Sequence, residues 1–501
     1  MTSESDNQTA KPHMDESQDA EANSASKRLV RLGKTEADSD DSHDLHDRQI
    51  DIEVEGAGQR RKLIIALTWP ALAENVLSSL ISMADMIMVG GLGPYALSAV
   101  GLVTQPKFLM ISAFMAMNIG TTALVAQNKG ARNPDDANSA LNQALILSLA
   151  MTVVICATLL ILSEQLIRLI GGSELSEQVL TEALTYYRIQ IYGFPTVAFT
   201  FTINAALRGA GNTRATFFNN SVANIVNVAL NYCLIYGHFG FPRLEVAGAS
   251  IATVIGQFVG LVMALFVVIR GKQYVRLIFG KLRKINWLMM KRILNIGIPS
   301  LFEQVIMRTG AIWFTTIVTS LGDTSYAAHM VTMNIQMFSF TTGMAFGTAA
   351  TSLVGQCIGR RRVDLSKIYV RMTQNMGYVV SISIALFMFT CGKLITGLYS
   401  DEAVIIALSA DMLKIIAIAN PIVNARFVYV SALRGAGDAK YVAVISFIGM
   451  IVVRPFTGLM LVNVFNMGLT GVWVALASDF VISYFVTLIR YKKGKWTQIK
   501  I

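Results

Sequence analysis

Twelve mostly apolar stretches run through the chain from residue 64 onward. Each is long enough to cross a hydrocarbon core as a helix, which takes roughly 20 residues. With 53% apolar and 15% charged residues, the chain of 501 residues is too apolar for a soluble globular protein. We therefore predict an all-α integral membrane protein with twelve transmembrane helices. The predicted spans are residues 64–89, 97–126, 138–162, 184–206, 216–237, 247–269, 293–320, 327–355, 370–396, 404–432, 441–462 and 469–489.

Residues 1–59 differ in kind from the apolar remainder. They contain 15 Asp or Glu against six Lys or Arg, almost no aromatic residues and many Ser and Gln. This composition is typical of a disordered acidic tail. His43 and His46 lie in it without any scaffold, so a solvated tail is favoured over a metal site.

Basic residues are distributed unevenly between the predicted loops. If the N-terminus is cytoplasmic, the cytoplasmic loops and flanks contain 27 Lys or Arg, whereas the opposite loops contain only Arg168, Arg243 and Lys393. Because cytoplasmic loops are enriched in Lys and Arg, both termini are predicted to be cytoplasmic. Membrane insertion and anionic lipid account for the net charge of +10. The expected partner of the basic surface is therefore the lipid bilayer, and no nucleic acid is expected.

The sequence LRGAG occurs twice, at residues 207–211 and 433–437. Other residues recur at nearly the same offset, which indicates an internal repeat. The chain is thus predicted to contain two copies of one six-helix unit. The matched pairs, at offsets of 223–229 residues, are Pro70 and Pro299, Gln127 and Gln356, Gly130 and Gly359, Pro195 and Pro421, and Gly248 and Gly471.

An even number of helices in each copy gives both copies the same orientation in the membrane. Parallel repeats of this kind are typical of transporters that work by alternating access. Each LRGAG is predicted to be a tight cytoplasmic turn, with its glycines at positive φ and its arginine near helix carbonyls and headgroups. The predicted division is a disordered acidic tail at 1–59, an N-lobe with helices 1–6 at 60–269, a basic amphipathic cytoplasmic linker at 270–292, a C-lobe with helices 7–12 at 293–489 and a basic cytoplasmic C-terminus at 490–501.

Ionisable side chains inside a membrane span are costly and usually face a polar interior. In the first span, Asn75, Ser78, Ser82 and Asp85 follow at helical spacing and form one stripe, and Glu74 lies at its start. This stripe predicts a water-filled cavity that accepts cations, with Glu74, Asn75 and Ser78 as substrate contacts. The alternative is that the serines bond helix to helix and that Asp85 meets a basic neighbour.

The repeat distinguishes the acids of the two halves. Glu303 is the second-half equivalent of Glu74, whereas Asp85 projects onto Phe314, which is not ionisable. Glu303 is a second candidate for cation coupling, and the alternative is an ion pair with the nearby Arg308. In the fifth span, Asn220, Asn224, Asn227 and Asn231 share one helix face, where amide oxygens can coordinate a monovalent cation or bond an acid.

The eighth span carries Met330, Met333, Met337 and Met344 on one face. Thioether side chains form adaptable walls for varied apolar ligands, although such stripes are also common in plain packing. Met330, Met333 and Met337 are therefore predicted substrate contacts. The four cysteines show no paired spacing and are predicted to be apolar fillers.

Motifs of membrane enzymes and of ATP-driven pumps are lacking in the sequence. It has no His-rich metal cluster, no nucleophile elbow and no phosphate-binding loop. We therefore expect a protein that is not an enzyme and that needs no cofactor.

Several motifs, taken in order, resemble the multidrug and toxic compound extrusion (MATE) family over nearly the whole chain beyond residue 60. They are ADMIMVGGLGPYALSAVGL, GTTALVAQNKGA, ALRGAGNTR, NIVNVALNYCLIYG, VAGASIAT, GTAATSLVGQCIG and ALRGAGDAK. The resemblance is closest to the bacterial DinF-like branch. It implies twelve helices in two parallel six-helix repeats that form a V, and export of organic cations or other amphipathic compounds in exchange for protons or sodium.

The resemblance also implies a cation site in the first lobe. The family pattern falls on Asp85, Asn227, Asn231 and Thr253, which would bind H+ or, in a metal-ion site, Na+. The chain departs from the pattern at Asn231, where the branch usually has aspartate. Glu303 matches an acid that many members carry in helix seven, so coupling through the second lobe is an open alternative.

The predicted function is a secondary antiporter that exports a small-molecule substrate, amphipathic and cationic, by alternating access. The alternative is a flippase for a lipid-linked saccharide of the same superfamily. A flippase needs a strongly cationic cavity, whereas charges of both signs nearly balance in the spans. We expect a monomer in the bacterial inner membrane, that is, a multi-pass protein of the cell membrane.

Overall fold

The computed structural model describes residues 52–172, 175–270, 273–278, 280 and 284–499. Residues 1–51 of the predicted acidic tail, and part of the predicted linker, lie outside the described residues. The described part of the chain contains twelve long helices and no strand. They are α1 Ala57–Gly90, α2 Pro94–Gly130, α3 Pro134–Gly171, α4 Glu177–Gly209, α5 Thr213–Tyr236, α6 Glu245–Ile269, α7 Trp287–Thr319, α8 Asp323–Gly359, α9 Val363–Thr396, α10 Ala403–Gly435, α11 Ala439–Val464 and α12 Gly468–Lys492.

Each predicted span lies within one helix, except for the last residue of the spans 216–237 and 293–320, which confirms the all-α prediction. Most helices extend beyond the predicted spans because their polar ends remain helical outside an apolar core. Among the described residues, eight helices are long and apolar enough to cross a membrane by length and composition. The other four, α4, α5, α7 and α8, have 24 to 37 residues and carry more polar side chains.

Helix starts in this chain follow ordinary capping chemistry. The side chains of Asn133, Asn212 and Asn286 each accept a hydrogen bond at 3.1 Å from the backbone N–H three residues further on. Ser176 does the same for α4. These caps satisfy N–H groups that have no partner inside the helix, and so they determine where α3, α4, α5 and α7 begin.

The twelve helices form two six-helix lobes, α1–α6 and α7–α12, as the repeat predicts. One buried apolar cluster occupies the N-lobe and two occupy the C-lobe. The first turns of α7, with Ile293 and Ile296, pack into the N-lobe cluster. At Gly120 of α2 and Gly297 of α7 the two helices approach so closely that a side chain at either position would press on the other backbone. Small residues permit such close approach of membrane helices.

Four turns lie together at one end of the bundle, here called the basic end. They are residues 131–133, 210–212, 360–362 and 436–438, and Arg or Lys side chains flank or occupy each one. In each LRGAG motif, the arginine and the first glycine belong to the last turn of α4 or α10. Only the second glycine, Gly211 or Gly437, has a positive φ. The expectation that both glycines turn the backbone was therefore wrong for Gly209 and Gly435, which serve close helix packing.

Helix α11 is interrupted where Arg454 precedes Pro455. Segments of π-helix, Ile448–Val453 and Met460–Val464, flank the short α-helical piece between them. Arg454 donates to Asp479 Oδ2 of α12 from Nε at 3.0 Å and from Nη2 at 2.5 Å. Both side chains are buried, so the pair neutralises a guanidinium deep inside the C-lobe.

We predict that Asp479→Asn destabilises the folded protein markedly. Removing one partner of a buried ion pair leaves an uncompensated charge and costs about 3–5 kcal/mol. The measurement is the thermal unfolding midpoint of the purified protein in detergent. Asp411→Asn is the matched control, because the side chains of its pair with Lys414 (2.8 Å) are exposed by 61% and 43%, so that losing this pair leaves no buried charge and is expected to cost much less. Equal effects of the two variants would contradict the prediction.

Candidate functional site

Two polar stripes meet along the contact between α1 and α5. Both helices run in the same direction, and three hydrogen-bonded pairs between the two stripes are each 146 residues apart. A constant offset follows from parallel helices of equal rise per residue. We call these three pairs the α1–α5 ladder. Asn220 Nδ2 donates to Glu74 Oε1 at 2.6 Å, Asn224 Nδ2 to Ser78 Oγ at 3.4 Å, and Asn231 Nδ2 to Asp85 Oδ1 at 2.6 Å.

Asp85 is surrounded by neutral hydrogen-bonding groups. Besides Asn231, it faces Asn227 of α5, whose Nδ2 donates to Thr253 Oγ1 of α6 at 3.2 Å. When the Asn227 amide is turned to exchange its oxygen and nitrogen, Nδ2 donates to the two Asp85 oxygens at 3.1 and 3.2 Å. The structure therefore brings together all four residues of the expected first-lobe cation site.

Helix α6 approaches this site closely because of Gly256. A Cβ at that position would lie 2.7 Å from the Ala223 carbonyl and 2.9 Å from the Asn227 Cβ. The glycine lets α6 bring Thr253, one turn earlier, against α5. Asn227 and Asn231 are buried, and Asn231 Oδ1 has no partner among the described residues.

A cavity of about 110 Å³ opens beside Asp85. It is large enough for water or an ion. The cavity is lined by Ser82, Asp85, Met86, Val89, Val100, Tyr186, Asn231, Ala249 and Thr253.

In the part of the chain that the structure describes, Lys107 of α2 is the basic residue that interacts electrostatically with Asp85. The two side chains do not form a direct ion pair. Tyr186, on the cavity wall, and Lys107 were missed as site residues by sequence reasoning. Their helices carry no polar stripe that points to Asp85, so only the packing of α2 and α4 on α1 reveals them.

Glu74 lies at the other end of the ladder, towards the basic end, and is paired. Its carboxylate accepts from Arg208 Nη1 at 3.3 Å, from Thr216 Oγ1 at 3.2 Å and from Asn220. Arg208 is the arginine of the first LRGAG. The motif therefore joins the end of α4 to α1 of the same lobe, instead of presenting its arginine to headgroups as we expected.

Glu303 repeats this arrangement in the C-lobe. It accepts from Arg434 Nη2, in the second LRGAG, at 2.7 Å and from Ser446 Oγ at 3.0 Å. Arg308, the alternative partner considered from the sequence, stacks instead on the Phe108 ring of α2, with its guanidinium carbon 3.1 Å from the ring centroid. The cation-coupling role of Glu303 stays a prediction, and its carboxylate is paired with a guanidinium in this structure.

The remaining predicted substrate contacts are spread over two helices. Asn75 of α1 is half-buried, and its backbone carbonyl accepts from Ser79 Oγ. Met330 and Met337 of α8 are exposed by 43% and 58%, whereas Met333 is half-buried against the larger of the two C-lobe clusters. The structure does not bring these methionines into the cavity beside Asp85.

The MatE family model matches residues 70–233 and 299–460 of the chain, once in each lobe. The two matches cover most of the chain and coincide with the internal repeat. The chain belongs to the MatE family. Members of this family are membrane transporters, so this MatE protein is a multi-pass membrane transporter and not an enzyme.

This MatE protein aligns with its curated relatives over nearly their whole length. It is 28% identical over 440 residues to a protein of Thermotoga maritima named "Probable multidrug resistance protein NorM", with 87% of this chain and 93% of the relative covered. A protein of Acinetobacter baylyi with the same name is 30% identical over 446 residues, with coverages of 86% and 95%. These relatives carry the name NorM, and the DinF-like branch stays a prediction.

Solved structures confirm the fold. A transporter described as an "Outward-facing conformation of a multidrug resistance MATE family transporter of the MOP superfamily" superposes with a TM-score of 0.81 at 22% identity, covering 88% of this chain and 97% of that chain. A MATE described in "the bent conformation" gives the same TM-score and identity. The V-shaped arrangement of two repeats is therefore the fold of this chain.

The α1–α5 ladder predicts a selective cross-link. In a variant whose four native cysteines are replaced by serine, Ser78→Cys with Asn224→Cys is expected to form a disulfide on mild oxidation, because these side chains touch. Ser79→Cys with Asn224→Cys is the control, since Ser79 lies about 100° further round α1. The measurement is the mass of the peptides after proteolysis. Cross-linking of the control pair alone would refute the register.

Proposed function

We propose that this MatE protein is a secondary antiporter that exports amphipathic, cationic organic compounds in exchange for protons or sodium. Lobe movement would expose the Asp85 site to the two sides of the membrane in turn. The relatives in Thermotoga maritima and Acinetobacter baylyi are named as multidrug resistance proteins. That name supports drug-like or metabolite amphiphiles as the substrate class, and nothing favours the flippase alternative.

The observation that carries the proposal is the environment of Asp85. The predicted spans contain five acids, of which Glu74, Glu303, Asp411 and Asp479 each form an ion pair with Arg or Lys. Among the described residues, Asp85 is hydrogen-bonded only to amide groups, and it borders a cavity. An intramembrane acid without a bound basic partner is free to exchange a mobile cation, and such residues mark ion pathways.

The chemistry of the site suits either coupling ion. Asn227 can turn its Nδ2 to the ionised carboxylate or its oxygen to a protonated one, so the same residue serves both states of Asp85. For sodium, the donor set contains the carboxylate, two amide oxygens and the Thr253 hydroxyl, all of them oxygen ligands. The unpartnered Asn231 Oδ1 is available for such a bond. Bound cation and cationic substrate would compete for one negative charge, which is the requirement for antiport.

Methionines of α8 support the substrate class. Met330, Met337 and Met344 are exposed large side chains, and thioethers adapt to ligands of varied shape. We propose that they provide an apolar wall for substrate, with Met333, Asn75, Ser78 and Glu74 contributing at its margins. The basic end would face the cytoplasm of a bacterial cell, because the loops and flanks predicted for that side carry 27 Lys or Arg in the sequence against three on the other side. We propose that one chain forms the transport unit, since both lobes of the repeat lie in it.

We predict that Asp85→Asn abolishes ion-driven efflux while the protein stays folded. The amide keeps the size and the hydrogen bonds of the side chain but cannot exchange a cation. The measurement is uptake of a fluorescent organic cation, ethidium, into inside-out proteoliposomes under an imposed gradient. Asp411→Asn, in an exposed ion pair, is the control and is expected to retain transport. Full activity of the Asp85 variant would remove this residue from the mechanism.

Separately imposed pH and sodium gradients are expected to separate the two coupling ions. If Asp85 binds a proton, a pH gradient alone drives ethidium uptake and Thr253→Val has little effect. If the site binds sodium, a sodium gradient drives uptake and Thr253→Val weakens the sodium dependence by about tenfold or more, because one ligand oxygen is lost. Transport under neither gradient would contradict the antiport proposal.

A further inference from the structure

Helices α2 and α8 cross at the basic end with direct backbone contact. A Cβ at Gly130 of α2 would collide with the Gln356 carbonyl of α8, and a Cβ at Gly359 would collide with the Gln127 carbonyl. The four residues are repeat equivalents, so the contact is reciprocal about the axis that relates the lobes. Nothing larger than glycine fits between the two backbones here.

The glutamine side chains extend this contact to the LRGAG turns. Gln127 Nε2 donates to the Gly435 carbonyl at 3.1 Å, and Gln356 Nε2 donates to the Gly209 carbonyl at 3.4 Å. Ser352 Oγ also lies 3.3 Å from the Gly209 carbonyl. Carbonyls in the last turn of a helix have no partner within that helix. Those of Gly209 and Gly435 are satisfied across the lobe boundary.

At the LRGAG turns, the contacts within a lobe are ion pairs, whereas the contacts between the lobes are neutral hydrogen bonds. Within each lobe, the arginine of the turn is tied to the first helix by an ion pair, Arg208 to Glu74 and Arg434 to Glu303. Between the lobes, the α2–α8 crossing is held by neutral amide–carbonyl bonds. Breaking a partly buried ion pair is far costlier than exchanging a neutral hydrogen bond for water. Each lobe is therefore rigid at this end, and the boundary is separable.

A further contact links the segment before α1 to the C-lobe. Glu53, just before α1, forms ion pairs with Arg360 at 3.0 Å and Arg362 at 3.5 Å in the turn after α8. The Glu53 and Arg362 side chains are exposed by 39% and 46%, and such exposed ion pairs contribute little stability, whereas the Arg360 side chain is exposed by only 17%. The preceding carbonyl, that of Ile52, accepts from Tyr369 of α9 at 2.8 Å.

We propose that Gln127, Gln356 and the two LRGAG turns form the gate at the basic end, closed in this structure, which must separate for substrate to reach the inter-lobe space from that side. We call these residues the glutamine gate. The inference rests on the proposed alternating-access function and names the residues that control one of its two states. It also explains why the motif is duplicated, because each copy joins its own lobe to the glutamine of the other.

The test measures the distance between the lobes and needs no transport. Spin labels are attached at Arg132→Cys and Arg361→Cys, exposed equivalent positions beyond the gate, in the full chain with its native cysteines replaced. Double electron–electron resonance in proteoliposomes then reports closed and open populations. Gln127→Ala with Gln356→Ala is expected to raise the open-to-closed ratio about fivefold per bond lost, or about 25-fold in all.

Matched controls separate the gate from general loosening. Gln190 bonds to Ser250, and Gln374 to Tyr378, each within one lobe. Gln190→Ala with Gln374→Ala is expected to leave the distance distribution unchanged. Gly359→Ala, which inserts a methyl group between the lobes, is expected to favour the open state as well. Gly392→Ala, where a Cβ meets neighbours at 3.7 Å or more, is expected not to.

An unchanged distance distribution in the double glutamine variant overturns the gate, whatever the glycine variants do. Opening of the control variants to the same extent also overturns it, since the effect would then be nonspecific. Opening confined to the gate variants supports it. Failure of the gate leaves antiport through Asp85 untouched, because that function is measured by transport under ion gradients. If antiport fails, the parent protein shows no transport under ion gradients, and this result is independent of the distances measured between its lobes.

Discussion

The α1–α5 ladder is the interaction on which the candidate site depends. Polar groups in an apolar membrane interior are tolerated only when they find partners. The asparagine stripe of α5 supplies a neutral partner for each of Glu74, Ser78 and Asp85 at one constant register. The carboxylate of Asp85 is thereby kept in the span without a guanidinium that would hold it permanently. Stabilisation by amides, and not by an opposite charge, leaves the acid able to take up and release a cation.

Duplication supplies a common scaffold, and the differences between the two copies supply the chemistry. Both lobes tie the LRGAG arginine to a glutamate of the first helix. The position equivalent to Asp85 is Phe314, which stacks against Arg454 with 5.4 Å between ring centroid and guanidinium carbon. That guanidinium is already neutralised by Asp479. The acids within the spans of the C-lobe, Glu303, Asp411 and Asp479, therefore each lie in an ion pair, whereas the N-lobe keeps one acid open to exchange.

The strength of each contact matches its place in the molecule. The ion pairs of Arg208, Arg434 and Arg454 bind elements inside a lobe, where nothing needs to separate, and the buried pair of Arg454 and Asp479 is the extreme case. Neutral bonds join the lobes at the α2–α8 crossing, where glycines bring the backbones together without interlocking side chains. A transporter that rocks between two states needs rigid bodies joined by contacts of low cost, and the twin LRGAG turns lie where the two kinds of bond meet.

The sequence by itself determined the helices, the duplication and the two polar stripes. It also determined that Asp85 has no acidic equivalent in the second half. These follow from local hydrophobicity and helical spacing, which act within one segment. Only the tertiary structure decided the partners, because residues far apart in the chain meet through packing. It assigned Arg434 and not Arg308 to Glu303, brought Thr253 to Asn227 through the glycine contact of α6, and directed Gln127 to the opposite lobe. No spacing within a single helix carries that information.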